Sequence, residues 1–253
     1  MKKLSFASIG ILALAAALRP AAAADMEPYY GRPPAVIIFT WTGFYFGAHV
    51  GGGWGSKEVT AQPFTYAGAL FAPASTTLDP TGWLAGGQIG ANYQAGSWVF
   101  GIEAQISWAD LSGDASCPST LAGVTLTTNC HAKVDALGTI AGRLGVAIDR
   151  VLVYGKGGAA WANDKYELTS TLLAFNANQT RWGWMLGGGL EYAFTDSWSA
   201  KIEYNYLDFG TRPVEFTDTT DIFSLDTNIH QRIHVVKTGI NYRFGWAPVG
   251  VRY

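Results

Sequence analysis

From Trp182 to Phe194 the chain reads WGWMLGGGLEYAF, with Trp182, Trp184, Leu186, Leu190, Tyr192 and Phe194 on one parity and Glu191 on the other. Glycine at that density excludes an amphipathic helix, since each one costs about 1 kcal/mol against alanine. What remains is a strand, whose side chains alternate between two faces. The same alternation recurs in Trp41 to Gly55, Gly82 to Ala95, Trp98 to Leu111, Lys133 to Ile148, Val151 to Asp164, Arg181 to Phe194, Trp198 to Phe209 and Ile233 to Trp246. In the third run, Trp98, Phe100, Ile102, Ala104, Ile106 and Trp108 oppose Gly101, Glu103, Gln105 and Ser107. The fourth sets Val134, Ile140, Leu144, Val146 and Ile148 against Asp135, Thr139 and Arg143. Within the cores of the second to eighth runs, short of the loop-end Asp110 and Asp208, the apolar parity carries no Asp, Glu, Lys or Arg. A charge in a lipid-facing band would cost about 2–4 kcal/mol at the midplane, so the apolar parity is read as facing lipid and the other as facing a lumen.

The connections alternate in length. QAGS, DR and TDS are short, whereas Ser56 to Thr81, Ser112 to Ala132, Lys165 to Thr180 and Gly210 to Arg232 are long and rich in Thr, Ser, Asp and Asn. Short turns at one end and long loops at the other are the pattern of an outer-membrane barrel, with turns periplasmic and loops extracellular. The expected fold is therefore all-β, an eight-stranded antiparallel up-and-down transmembrane β-barrel spanning residues 41–246.

Composition agrees. Charged residues make up 14% of 253 residues, against roughly 25% in an ordinary globular domain. The formal net charge of −2 argues against a nucleic-acid partner. The first 24 residues combine a basic MKK, an apolar stretch shorter than the ~20 residues a helical span needs, and a small-residue site before Asp25, which is the pattern of a cleaved signal peptide. Residues 25–40 hold three prolines and are expected to form a leader outside the sheet. Residues 247–253 would be a C-terminal tail.

Aromatic rings sort to both ends of the runs. Trp98, Trp198, Tyr242 and Phe244 lie at turn ends, and Trp83, Trp108, Trp161, Trp182 and Trp184 at loop ends. Two such girdles match the two membrane interfaces.

The stretches WTGFYFGAHVGGGWG, GSWVFGIEAQISWADLSG, GRLGVAIDRVLVYGKGGAAWA, GWMLGGGLEYAFTDSWSAKIEYNYLDFG and VVKTGINYRF resemble the small outer-membrane β-barrel proteins of alphaproteobacteria, which include the porin-like surface antigens of Brucella and rhizobia. The resemblance spans Trp41 to Phe244. It implies an integral protein of the cell outer membrane with an OmpA-like barrel, without catalytic residues and without the separate peptidoglycan-binding domain of OmpA. Partners would be outer-membrane lipid and lipopolysaccharide, the barrel-assembly machinery, and a loop-binding ligand or host surface of unknown kind.

An eight-stranded barrel is just wide enough for side chains to fill it, and a lone buried ion is costly. The lumen-parity charges Glu103, Arg143, Lys156, Glu191, Lys201 and Glu203 are therefore expected to neutralise one another. Counting from the turns sets Glu191 opposite Lys201, Arg143 opposite Lys156, and Gln88 beside Glu103. Glu103 and Glu203 would then compensate Arg143 and Lys156. His49 shares the lumen parity and would be a hydrogen-bonded plug residue. Cys117 and Cys130, the two cysteines, fall in one long loop, and export favours a disulfide over a metal site with His131. The glycine clusters do not have phosphate-loop spacing. His234 with Ser224 or Thr238 could be drawn as a lipid-modifying site, yet no nucleophile–base spacing selects it. The expectation is a structural, surface-exposed or envelope-stabilising protein that is not an enzyme and uses no cofactor or metal. A small-solute porin and a barrel enzyme acting on envelope lipid are the alternatives.

Overall fold

The computed structural model describes residues 39–61, 64–66, 69–73, 75–121, 124–169, 174–218 and 224–245. The expected signal peptide, most of the leader and the C-terminal tail lie outside them. Eight long strands follow in order: β1 Gly43–Ala61, β2 Thr81–Ala95, β3 Trp98–Leu121, β4 Val124–Ile148, β5 Val151–Thr169, β6 Ala174–Ala193, β7 Trp198–Asp218 and β8 Ser224–Gly245. Each pairs antiparallel with its neighbours in sequence, as in Gly47↔Gln88, Gln105↔Thr139 and Lys201↔Glu191. β1 also pairs with β8, from Gly43↔Gly245 to Ala61↔Thr227. That last ladder closes the ring, so none of the eight strands leaves its membrane-level backbone unpaired. Closure is what hydrocarbon demands, because nothing there can satisfy an open N–H or C=O.

At one end the connections are tight. Gly96 and Ser97 join β2 to β3, with Gly96 at φ 60, and Asp149 and Arg150 join β4 to β5, with Asp149 at φ 52. Left-handed residues suit two-residue hairpins because they match the strand twist. The first of these hairpins corrects a register. Ala95 pairs with Trp98, so Glu103 lies opposite Gly90, and Gln88 opposite Gln105. The QAGS segment is a two-residue turn and not a four-residue one.

At the other end the strands run well past the expected boundaries. Ser112 to Ala132, expected as a loop, is a ladder extended to Leu121↔Val124. In the connection from β1 to β2, the short strand Thr76–Leu78 pairs with β1, Ala69–Pro73 pairs with β3, and Phe64–Tyr66 pairs with Ala69–Pro73. Ser112, Asp114 and Ser116 are exposed while Cys130 and Ala132 are buried, so the ladder continues with a polar outer face in place of an apolar stripe. A second correction lies where the strands leave the membrane. The register shifts at Asp135 against both β3 and β5, and this β-bulge reverses the facing beyond it. Val134 therefore points inward and is fully buried, although simple alternation places it on lipid.

Outward side chains form the apolar band, with Ile102, Ile140, Leu186, Ile202 and Ile240 all exposed. Trp83, Trp98, Trp108, Trp182, Trp184, Trp198 and Phe244 are exposed on this surface, while Trp161 and Tyr242 are half-buried. The Trp161 indole lies over Gly138, where a Cβ would clash with its Nε1. The ring thus covers the backbone that glycine leaves bare.

This topology places the tight turns and the extended hairpins on opposite sides of the membrane. In a background with Cys117 and Cys130 replaced by serine, single cysteines at Ser75 and Asp114 should react with a membrane-impermeant thiol reagent on whole cells. A cysteine at Asp196 should react only after the envelope is broken.

Candidate functional site in the barrel lumen

The lumen is arranged in layers, each contributed by the inward parity of several strands. At the turn end Trp41, fully buried, packs with Val99, Ala147, Leu152, Tyr154 and Ala193. Its backbone N–H donates to Gln94 Oε1 at 2.7 Å and its indole Nε1 donates to the Asp149 carbonyl at 3.2 Å. The Arg243 guanidinium lies 4.6 Å from the ring centroids of both Phe39 and Trp41.

Above this stopper sits the charged layer. Glu103 on β3 receives Lys201 Nζ at 2.9 Å, Lys156 Nζ at 3.1 Å and Arg143 at 3.4 Å. Glu203 on β7 receives Lys156 Nζ at 2.5 Å, Lys201 Nζ at 3.1 Å and Lys237 Nζ at 3.5 Å. Glu191 on β6 binds Arg143 at 2.8 Å and accepts hydrogen bonds from Ser199 Oγ at 2.6 Å and Asn241 Nδ2 at 2.7 Å. Arg143, the most exposed of the six residues singled out by parity, is only 5% exposed. In a medium that cannot hydrate them, such groups persist as ions only if each is paired and hydrogen-bonded.

The six residues thus come together, and Glu103 and Glu203 bind Arg143 and Lys156 as expected, but further ion pairs do not follow the register. Lys201 lies opposite Glu191 in the β6–β7 register, yet its ammonium group reaches across to Glu103 and Glu203. Arg143 and Lys156 are register neighbours, and Glu103 binds both of them. Arg143 also spans past β5 to Glu191 on β6. Register counts only adjacent strands, whereas these side chains cross the barrel.

Several participants were not singled out from the sequence. Tyr45 Oη donates to Glu103 at 2.9 Å, Tyr154 Oη donates to Glu203 at 2.9 Å, and Arg143 lies 3.9 Å from the Tyr154 ring centroid. Gln105 bridges Glu103 and Glu203 through its Nε2, at 2.7 and 3.1 Å, and Lys237 donates to its Oε1. All these residues stand on the lumen parity, which was the available signal. His49 sits between Gln88 Oε1 at 2.5 Å and Ser107 Oγ at 2.7 Å.

Beyond the charges comes an apolar layer that includes Leu84, Leu137, Met185, Leu207, Phe209 and Val235. The cavity where the two layers meet, between Gln105, Ser107, Leu137 and Lys237, holds about 10 Å³, room for at most about one water. A second buried ion cluster follows, with Asp164 holding Lys57 at 2.9 Å and Arg181 at 3.5 Å. Gln231 Nε2 donates to the same carboxylate at 3.1 Å. Lys57 falls within the Ser56 to Thr81 connection expected as a loop, and is instead part of β1.

Of the cysteines, Cys130 is buried and is not a free thiol. The register sets it opposite Ala115, and Cys117 opposite Thr128. The Cys117 side chain lies outside the described residues, so its pairing with Cys130 remains a proposal from the sequence. His131 Nδ1 hydrogen-bonds Asp114 at 2.7 Å.

A closed antiparallel ring with an uncharged outer band, aromatic girdles and ions on the inside is a transmembrane β-barrel. The chain belongs to the outer membrane protein beta-barrel domain family, which it matches over residues 9–244. It is 32% identical to the 31 kDa outer-membrane immunogenic protein of Brucella melitensis biotype 1, over 96% of this chain and 100% of that one. The 25 kDa outer-membrane immunogenic protein of Brucella abortus biovar 1 is 27% identical, over 96% of this chain and 99% of that one. Among solved structures, the outer membrane protease OmpT from Escherichia coli superimposes with a TM-score of 0.50 at 8% identity, covering 80% of this chain and 97% of that one. That likeness concerns the fold alone. The protein resides in the outer membrane.

Among the described residues Arg143 is the one cation bridged to Glu191, so Arg143→Ala should strand that carboxylate. We expect the variant to lose about 3–5 kcal/mol, the usual cost of breaking a buried pair, in denaturant unfolding of the barrel in lipid vesicles. Adding Glu191→Gln should recover a large part of the loss.

Proposed function

We propose that the protein is a structural, surface-exposed component of the outer membrane whose side-chain-filled lumen does not conduct, and that it is not an enzyme. The carrying observation is the layer in which Glu103 and Glu203 share Lys156 and Lys201. A pore needs continuous water and sites weak enough for a solute to leave. Here the polar groups at mid-lumen bind one another, between the Trp41 stopper and the apolar layer. A solute would have to break several charge-assisted hydrogen bonds at once.

The histidines support the non-enzymatic reading. His234 shares a hydrogen bond with the Tyr204 hydroxyl at 2.7 Å and stacks on Trp54. Thr238, the nearby hydroxyl, donates to the Lys201 carbonyl at 3.2 Å. What the barrel offers its surroundings is the set of sheet extensions at its hairpin end, the surface available to a loop-binding ligand or host surface.

Planar-bilayer recording of the purified, folded protein tests this reading. We expect no stable conductance, and reproducible open channels would replace it with the small-solute porin.

A further inference from the structure

On the outer wall, where β2, β1, β8 and β7 lie side by side, a groove of about 630 Å³ is lined by Val50, Gly52, Trp54, Gly82, Ile202 and Val236, among others. Its size lies within the roughly 300–1,000 Å³ range of small-molecule sites. The floor is Gly52, registered between Trp83 on β2 and Val236 on β8. A Cβ built there meets only the Gly82 carbonyl oxygen, at 3.7 Å, so the space above Gly52 is open. Trp54 at 46% and Val50 at 52% exposure flank it along the strand.

One step toward the hairpin end the wall changes character. The Trp54 ring stacks on His234 at 5.5 Å with a 5° interplanar angle, and Tyr206 packs on the same imidazole at 5.1 Å. Tyr204 fixes the imidazole through Nδ1. The result is a rigid aromatic platform at the outer interface, where rings favour headgroup level. A further step out, Arg232 lies between Ser56 and Asp208 in register. At ~3.4 Å per residue that is about 14 Å from the Gly52 row. Arg232 Nε donates to His230 at 2.9 Å, and among the described residues its two terminal nitrogens make no hydrogen bond. The Asp208 carboxylate is engaged elsewhere, accepting from the Gly210 N–H at 2.8 Å and Tyr206 Oη at 3.2 Å. Glu58 and His230 form the next row outward.

We propose that this wall is a binding site for one outer-leaflet glycolipid bearing acyl chains and phosphate. An acyl chain fills the groove over Gly52, a sugar ring lies on the Trp54–His234 platform, and a phosphate meets the free end of the Arg232 guanidinium. Arginine binds phosphate through parallel N–H donors. The order of apolar groove, aromatic platform and cation along the strand matches the order of chain, sugar and phosphate with depth. A second copy of the protein would not require that grading. The inference rests on the outward face of these strands and their place in the outer membrane, and is independent of whether the lumen conducts.

Native mass spectrometry of the folded barrel in detergent, with purified lipid A or phosphatidylglycerol added, tests the site. Gly52→Leu fills the groove, Arg232→Ala removes the cation, and Trp54→Leu removes the platform should Gly52→Leu fail to fold. Gly142→Leu serves as control, an outward glycine whose added Cβ has its nearest neighbour, the Gly157 carbonyl oxygen, at 4.0 Å. Heat-modifiable gel migration verifies folding of each variant. The expected result is one lipid A retained by the unmodified protein and by Gly142→Leu, with at least tenfold weaker retention in Gly52→Leu or Trp54→Leu and several-fold weaker retention in Arg232→Ala. Equal retention by the groove variants would overturn the site. So would equal retention of phosphatidylglycerol, which lacks the sugar, or a dimer that the groove variants abolish. Conductance of the same preparations reports on the lumen separately.

Discussion

Two carboxylates, Glu103 and Glu203, hold the ammonium groups of Lys156 and Lys201 between them at 2.5–3.1 Å, and most of the barrel's architecture can be understood from that arrangement. Ions at the level of a bilayer core are tolerable only behind a wall that keeps them from lipid and beside partners that replace water. Strict alternation supplies the wall. A one-residue slip in any ladder would exchange the two faces, sending Glu203 or Lys201 into hydrocarbon and Ile202 into the charged layer. The network thus specifies register more than it adds stability, since a well-packed apolar lumen of the same volume could be about as stable.

The layers on either side follow from the same constraint. Three acids, Glu103, Glu191 and Glu203, face four bases, Arg143, Lys156, Lys201 and Lys237. The neutral groups Tyr45, Tyr154, Gln105, Asn205, Ser199 and Asn241 take up the remaining valences of the carboxylates. Apolar side chains then isolate the layer at both ends: Trp41 and its neighbours toward the turns, and the Leu84, Leu137, Leu207 and Phe209 cluster toward the hairpins. Low dielectric strengthens each pair that is made and penalises each that is missing.

The strand count, the closed ring, the lipid-facing stripe and the identity of the six lumenal charges could be read from period-two alternation, because that pattern records which solvent each face meets. Three things could not. Polar residues from Ser112 to Ala132 suggested a loop, since a ladder whose outer face meets water carries no apolar stripe there. The bulge at Asp135 reversed Val134 without a glycine or proline to mark it. The compensation of Arg143 and Lys156 by Glu103 and Glu203 was legible, but the Lys201–Glu103 and Arg143–Glu191 pairs escaped counting because they cross the lumen to strands that are not neighbours. The aromatic platform likewise depends on Trp54 from β1 and Tyr204 and Tyr206 from β7 converging on His234 of β8.

The central claim is that the charged layer is dry and bound to itself, and the chemical reactivity of its lysines tests this directly. The folded barrel in lipid should be treated with a small amine-reactive reagent and the modified residues located by mass analysis. Lys165, with its side chain 61% exposed, should be modified readily. Lys156 and Lys201, at 0% and 1% side-chain exposure, should remain unmodified until the barrel is unfolded. Modification of Lys156 or Lys201 in the folded protein at a rate approaching that of Lys165 would contradict the account and place water in the lumen.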